Sequence, residues 1–175
     1  MPVSDTEGLR VREQPTPYAD PMTVTLRSMV GTEIPESLAT SQKDYIADRV
    51  ASGEDFAVAK RIAEEQITAL FPDGQPAPGQ HLFRVEANGE PVGSLWIGPF
   101  SADQPDAWWV WDITIDEPHR GRGLGKAAML LAEREARSHG ATELGLNVFG
   151  SNTVARHLYE QLGYGTVAVR MSKQL

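Results

Sequence analysis

The chain has 175 residues, no cysteine and a formal net charge of −8 at pH 7. That length suits one domain with a full core, the missing thiols exclude disulfides and a cysteine nucleophile, and the acidity argues against nucleic acid, whose phosphates need a basic face. No run approaches the roughly 18 apolar residues of a membrane span, no basic-then-apolar leader opens the chain, and the four histidines show no ligand-like spacing; the expectation is a cytoplasmic protein with no membrane partner and no metal.

Residues 1–21 are polar and broken by Pro2, Pro15, Pro17 and Pro21, which predicts a poorly ordered extension before a domain spanning 22–175. Residues 22–27 alternate as a first strand. Two helical stretches follow. The first runs from Pro35 to about Val50 with Leu38, Ile46 and Val50; the second runs from about Glu54 to Leu70 with Ala59, Ile62, Ala63, Gln66, Ile67 and Leu70 at helical spacing. Residues 71–79 are rich in proline and glycine and read as a loop. His81–Ala87 and Pro91–Ile97 are strands joined at Asn88-Gly89, a hairpin signal. Residues 98–106 read as a second loop, and Trp108–Ile115 as a β-branched and aromatic strand.

After that strand comes His119-Arg120-Gly121-Arg122-Gly123-Leu124-Gly125-Lys126, and then a helix on which Leu124, Ala128, Leu131 and Ala132 recur until Gly140. The glycines therefore sit in a strand-to-helix turn. Their missing Cβ atoms let backbone N–H groups turn toward a bound group, and the helix N-terminus adds unpaired donors and the positive end of its dipole. Arg120, Arg122 and Lys126 add positive charge, so the stretch predicts a pyrophosphate cradle. Two nucleotide motifs fail on spacing. A dinucleotide fingerprint would need a third glycine where Lys126 or Ala128 stands, and a P-loop would need glycine at Arg120 and a hydroxyl at Ala127. A strand at 143–149, a helix at 152–162 capped by Asn152 and a last strand at 165–171 complete the chain.

What remains of the loop is R-x-x-G-x-G at Arg120, Gly123 and Gly125, which resembles the acyl-CoA pyrophosphate loop of the GNAT superfamily of N-acetyltransferases. A second segment is similar to another GNAT signature, N-x-x-A-x-x-L-Y-x-x-x-G-Y, at Asn152, Ala155, Leu158, Tyr159, Gly163 and Tyr164. The resemblance is strongest from about Trp109 to Lys173. It implies a single-domain α/β (α+β) fold, a mixed twisted sheet of about six to seven strands flanked by about four helices.

By the same resemblance, the backbone of Ile113 and Ile115 holds the pantetheine arm of acetyl-CoA. Backbone groups of Arg120, Gly121, Arg122, Gly123, Leu124, Gly125 and Lys126 bind the pyrophosphate. Asn152 contacts the cofactor, or simply caps its helix. Tyr159 is the candidate general acid toward the leaving sulfur, against the alternative of an ordinary amphipathic-helix tyrosine. Asp112 is the only carboxylate inside the strand along which the thioester would lie, and partial burial would raise its pKa toward a base. A structural ion pair remains open for it, and many GNAT sites use an ordered water instead of a dedicated base. Tyr45, Trp96, Trp108, Trp109 and Trp111 are the aromatics available for an acceptor wall, with core packing the simpler account for at least two.

The expected activity is transfer of an acetyl group to a primary amine of a small molecule by direct attack in a ternary complex. A non-catalytic acyl-CoA-binding module and an acetyltransferase acting on peptide amines are the alternatives. Homodimers are common in the family, and the sequence leaves the oligomeric state open.

Overall fold

The computed structural model describes residues 22–171 and Lys173; the extension expected at 1–21 lies outside the described residues. Strand β1 (Val24–Ser28) leads into helices α1 (Glu33–Ala51) and α2 (Phe56–Leu70), followed by strands β2 (His81–Ala87), β3 (Glu90–Ser101) and β4 (Gln104–Ile115). Helix α3 (Leu124–Ser138), strand β5 (Glu143–Leu146) and helix α4 (Thr153–Gln161) complete the elements. The strands form one sheet in sequential order, antiparallel from β1 to β4 and parallel between β4 and β5. The parallel step is forced by the α3 crossover, since only a connection that long can return the chain in the same direction.

Each sheet face has its own core. On one side, Val85, Leu95, Ile97, Trp108 and Val110 pack against Leu124, Ala128, Met129, Ala132 and Ala136 of α3. Small residues let α3 lie close to the strands, and Leu124 pins its first turn. On the other side, Met29, Phe71, Leu82 and Trp96 meet Ile34, Leu38, Ile67 and Leu70 of the first two helices. Helix α2 presents Ala59 and Ala63 as its buried positions and starts on Asp55, whose carboxylate accepts from the N–H groups of Ala57 and Val58. Helix α1 has no fully buried residue. Arg27 ties β1 to both α1 and β2 through Glu33 and Glu86.

Three expectations change. Residues 98–106 are not a loop, because β3 and β4 extend through them to a tight turn in which Ser101 pairs with Gln104. Cross-strand packing of Phe100 on Trp109, centroids 4.9 Å apart, and the bond from Trp108 Nε1 to the Pro105 carbonyl at 3.1 Å hold the ladder despite its prolines. Second, α1 begins at Glu33, with Pro35 inside its first turn, where a missing N–H costs nothing. Third, the sheet has five strands among the described residues, short of the six to seven expected. Residues 165–171 form no ladder, leaving Val167, Val169 and Met171 exposed, and β5 stops at Leu146. Alternation alone makes no strand: a ladder also needs main-chain pairing, which residues 165–171 make neither with the outer edge of β5 nor with any other described strand.

Candidate functional site

Strand β4 is longer than its parallel partner. Pairing with β5 runs from Ala107–Glu143 to Val110–Leu146 and stops, while β4 continues to Ile115. From Trp111 onward the β5 side of β4 is therefore an open edge, offering main-chain donors and acceptors to an extended ligand. Ile113 and Ile115 lie in this stretch, and the Ile115 carbonyl accepts a bond from Arg120 Nε at 2.8 Å.

The chain then makes one 3₁₀ turn, Glu117–His119, and enters the glycine loop. Gly121 and Gly123 have φ of +75° and +76°, left-handed values that favour glycine. A Cβ built on either would meet nothing within 4 Å, so both face open space. Gly123 occupies the N-cap of α3 and supplies no capping side chain, so the first-turn N–H groups of Leu124, Gly125 and Lys126 are left to a ligand. Gly125 differs: a Cβ there would meet Leu158 Cδ2 at 3.4 Å, an ordinary van der Waals contact, so α4 packs directly on the start of α3. Leu124 contributes backbone only, its side chain being buried. Arg120, Arg122 and Lys126 are exposed around the loop. Open space over two left-handed glycines, uncapped N–H groups and three cations fit a diphosphate.

The two candidate proton-transfer residues are close enough to interact electrostatically. Opposite β3, Trp96 pairs with Asp112 and Ile97 with Val110, so Trp111 is a bulged residue. The bulge resets the alternation and turns Asp112 toward α1, near the hydroxyls of Ser41 on that helix and of Ser94 on β3. Burial, and secondarily the Asp44 carboxylate, push its pKa up to about 6 against the opposing hydroxyls. Tyr159, from α4, is close enough to feel that charge: burial first and Asp112 second raise its phenol above the usual value. No hydrogen bond ties the Tyr159 hydroxyl among the described residues, and its ring leans on Tyr164, centroids 5.9 Å apart.

The sequence profile of the acetyltransferase (GNAT) family matches residues 45–164. The chain belongs to the GNAT family. It is an N-acetyltransferase whose acetyl donor is acetyl-CoA. It is 35% identical over 159 residues to the uncharacterized N-acetyltransferase YycN of Bacillus subtilis, covering 88% of this chain and all of that one. The crystal structure of YycN superposes with a TM-score of 0.79, covering 87% of this chain and 99% of the other. Streptothricin acetyltransferase of Streptomyces lavendulae is 30% identical over 128 residues, 65% of each chain. The aminoglycoside N-acetyltransferase AAC(6')-Iy, solved in complex with CoA, shares the fold at a TM-score of 0.55 and 15% identity, with 90% of this chain and 98% of that one covered.

In this GNAT chain Asn152 is the N-cap of α4, its Oδ1 accepting from Ala155 N at 3.1 Å. The aromatic residues divide. Trp96 and Trp108 are core residues, at 4% and 3% exposure. Trp111 stacks on Trp96 and Phe100, with centroids 5.8 and 6.2 Å away, and its buried Nε1 donates to nothing among the described residues. Trp109 lies over Gly145, where a Cβ would come within 2.5 Å of its ring. Tyr45 sits on Phe149, centroids 6.3 Å apart, and Arg49 packs over its ring.

Sequence reasoning named Tyr45 for the acceptor wall but missed its polar neighbours on α1. Ser41, Asp44 and Asp48 fall on the same face of that helix as Tyr45, and burial together with Asp44 raises the pKa of Asp48. The spacing of these polar residues, three and four apart, was the available signal. A groove of about 660 Å³ between α1 and α2 is lined by Ala39, Lys43, Ile46 and Ala47, on the opposite face of α1.

Proposed function

We propose that the enzyme acetylates a primary amine on a small cationic molecule by direct attack in a ternary complex, with Asp112 as general base and Tyr159 as general acid. The observation that carries this reading is the meeting of Asp112 and Tyr159, from different elements, beside the open edge of β4. When bound, acetyl-CoA supplies an acetyl group activated as a thioester. Ile113 and Ile115 would hold its pantetheine arm through main-chain groups, and residues 120–126 its pyrophosphate, with Asn152 near the mouth between β4 and β5.

Asp112 accepts the proton that the attacking amine must lose. A carboxylate with a pKa near 6 is ionised at neutral pH yet more basic than an ordinary aspartate. Tyr159, still protonated at that pH, donates its hydroxyl proton to the departing sulfur. Asp44, Asp48 and Asp112 together make the α1 side of the site negative, which favours a cationic acceptor and disfavours an anionic one. Relatives named for streptothricin and for L-2,4-diaminobutyric acid point to the same class of acceptor. We assign residues 22–175 to this one domain.

The test is CoA release from acetyl-CoA across a panel of small diamines, aminoglycosides, monoamines and amine-bearing peptides. Turnover should be highest with small polycations and low with peptides. Turnover confined to peptides would replace the acceptor assignment. Acetyl-CoA binding with no turnover on any amine would favour a non-catalytic acyl-CoA-binding module.

A further inference from the structure

At the far end of α3 from the glycine loop, His81, Glu135 and His139 each place a ligand-type atom within 4.8 Å of the others. Glu135 and His139 lie one turn apart at the helix C-terminus, and His81 is the first residue of β2. The imidazoles of His81 and His139 face one another with centroids 4.5 Å apart, and both rest on Trp108, at 5.4 and 5.2 Å. Glu135 lies about 17 Å along the helix axis from Leu124, at 1.5 Å per residue, well away from the acetyl-transfer site.

We propose that His81, Glu135 and His139 form a binding site for a divalent transition metal of the zinc type, which clamps the start of β2 to the end of α3. Two imidazoles and one carboxylate are the ligand types that such ions take, with an open position left for water, whereas magnesium and calcium prefer all-oxygen sets. His139 Nδ1 lies 3.0 Å from the Glu135 carbonyl, which can only accept, and a proton held there leaves the Nε2 lone pair to a metal in the neutral ring. The same outer-shell bond orients many metal-bound histidines.

The remaining adjustment is small. Ligand atoms about 2.1 Å from a tetrahedral ion stand about 3.3 Å apart, so a set spread over 4.8 Å closes by about 1.5 Å. His139 is exposed, Glu135 is half-buried, and both can move that far by rotamer change. The sequence conceals the site because its third member, His81, joins only when β2 folds beside α3.

The experiment is calorimetric titration of untagged, chelator-treated protein with zinc(II) alone, repeated on H81Q, E135Q, H139Q and the control H157Q, whose histidine lies on α4. One saturable site is expected in the wild type. Loss of even an outer-shell partner of a metal costs about 10- to 100-fold in affinity, so each cluster variant should bind at least about tenfold more weakly. H157Q should match the wild type. Cobalt(II) should give visible absorption bands in the wild type that H139Q lacks. H139Q changes an exposed side chain, so it reports on the site even if H81Q fails to fold. No saturable zinc binding, or full affinity in H139Q, would overturn the proposal.

Discussion

Replacing Asp112 with asparagine separates two consequences of its environment. A carboxyl whose pKa rises from 3.8 unfolded to about 6 folded takes up a proton on folding between those values. Its contribution to stability is therefore complete below the unfolded pKa and is lost as the pH rises through about 6. Above that, at 1.36 kcal/mol per pH unit, keeping the ionised carboxylate in the fold costs about 3 kcal/mol. The side chain is partly open to solvent, so about 2 kcal/mol is the working figure. Asparagine removes the charge while keeping an oxygen for Ser41 or Ser94. D112N should thus be more stable than wild type at pH 8, with a melting temperature about 4–8 °C higher for a chain of this size. The gain should shrink below about 1 kcal/mol at pH 4, where the folded carboxyl is almost wholly protonated and the unfolded one is near the midpoint of its titration. The same variant should lose about 100-fold or more in turnover. Urea unfolding at the two pH values and CoA release on one preparation measure all of this. If D112N is no more stable than wild type at pH 8, or gains as much at pH 4, burial is not what raises this pKa. Unchanged turnover would remove Asp112 from the mechanism.

Four further variants and one pH profile test the remaining assignments. Y159F should slow turnover by about 100-fold with little change in CoA affinity by calorimetry; full activity would remove the tyrosine as acid. G123V puts a β-branched residue at φ +76° and a side chain into the open space over the loop, so CoA binding should vanish, and retained affinity would refute the cradle. G93A drives a Cβ to within 2.1 Å of the Thr114 carbonyl and should cost about 3 kcal/mol or more in urea unfolding; a neutral result would mean the β3–β4 register is wrong there. The profile of kcat/KM should rise through about pH 6 as Asp112 ionises, and D44N, by removing a like charge, should move that limb to lower pH. A profile flat from about pH 5 to 7 would contradict the base assignment.

How much of this was legible depends on how local each feature is. The glycine loop, the start of α3 and the Asn152 cap are set by residues a few positions apart, and their sequence patterns carried over to the structure. The face of Asp112 was not legible. Strict alternation along 108–115 misplaces every residue beyond Trp111, because the bulge depends on the register against β3. The Gly98-Pro99 and Pro105 signals likewise misread the β3–β4 tip, where aromatic packing across the hairpin outweighs local breakers. The α1 wall stayed hidden for a related reason. Its polar residues acquire meaning only when the sheet brings Asp112 beneath them.

The bulge and the early end of β5 act as one device. β5 pairs with β4 only as far as Val110, and the next residue, Trp111, is the extra one. An edge left open without the bulge would expose the main chain of 111–115 but direct Asp112 to the α3 side, into the apolar core beside Leu124 and Ala128. A bulge without the open edge would turn Asp112 toward α1 with no extended ligand alongside it. Placed at adjacent residues, the two put an open backbone edge and a carboxylate of raised pKa on the same short stretch of strand. Tyr159 approaches that stretch because its neighbour Leu158 packs α4 on the start of α3, beside Gly125. The proposed proton acceptor, proton donor and cofactor loop are therefore all carried by β4 and the two helices that follow it, while Asp44 and Asp48 of α1 line the side proposed for the acceptor.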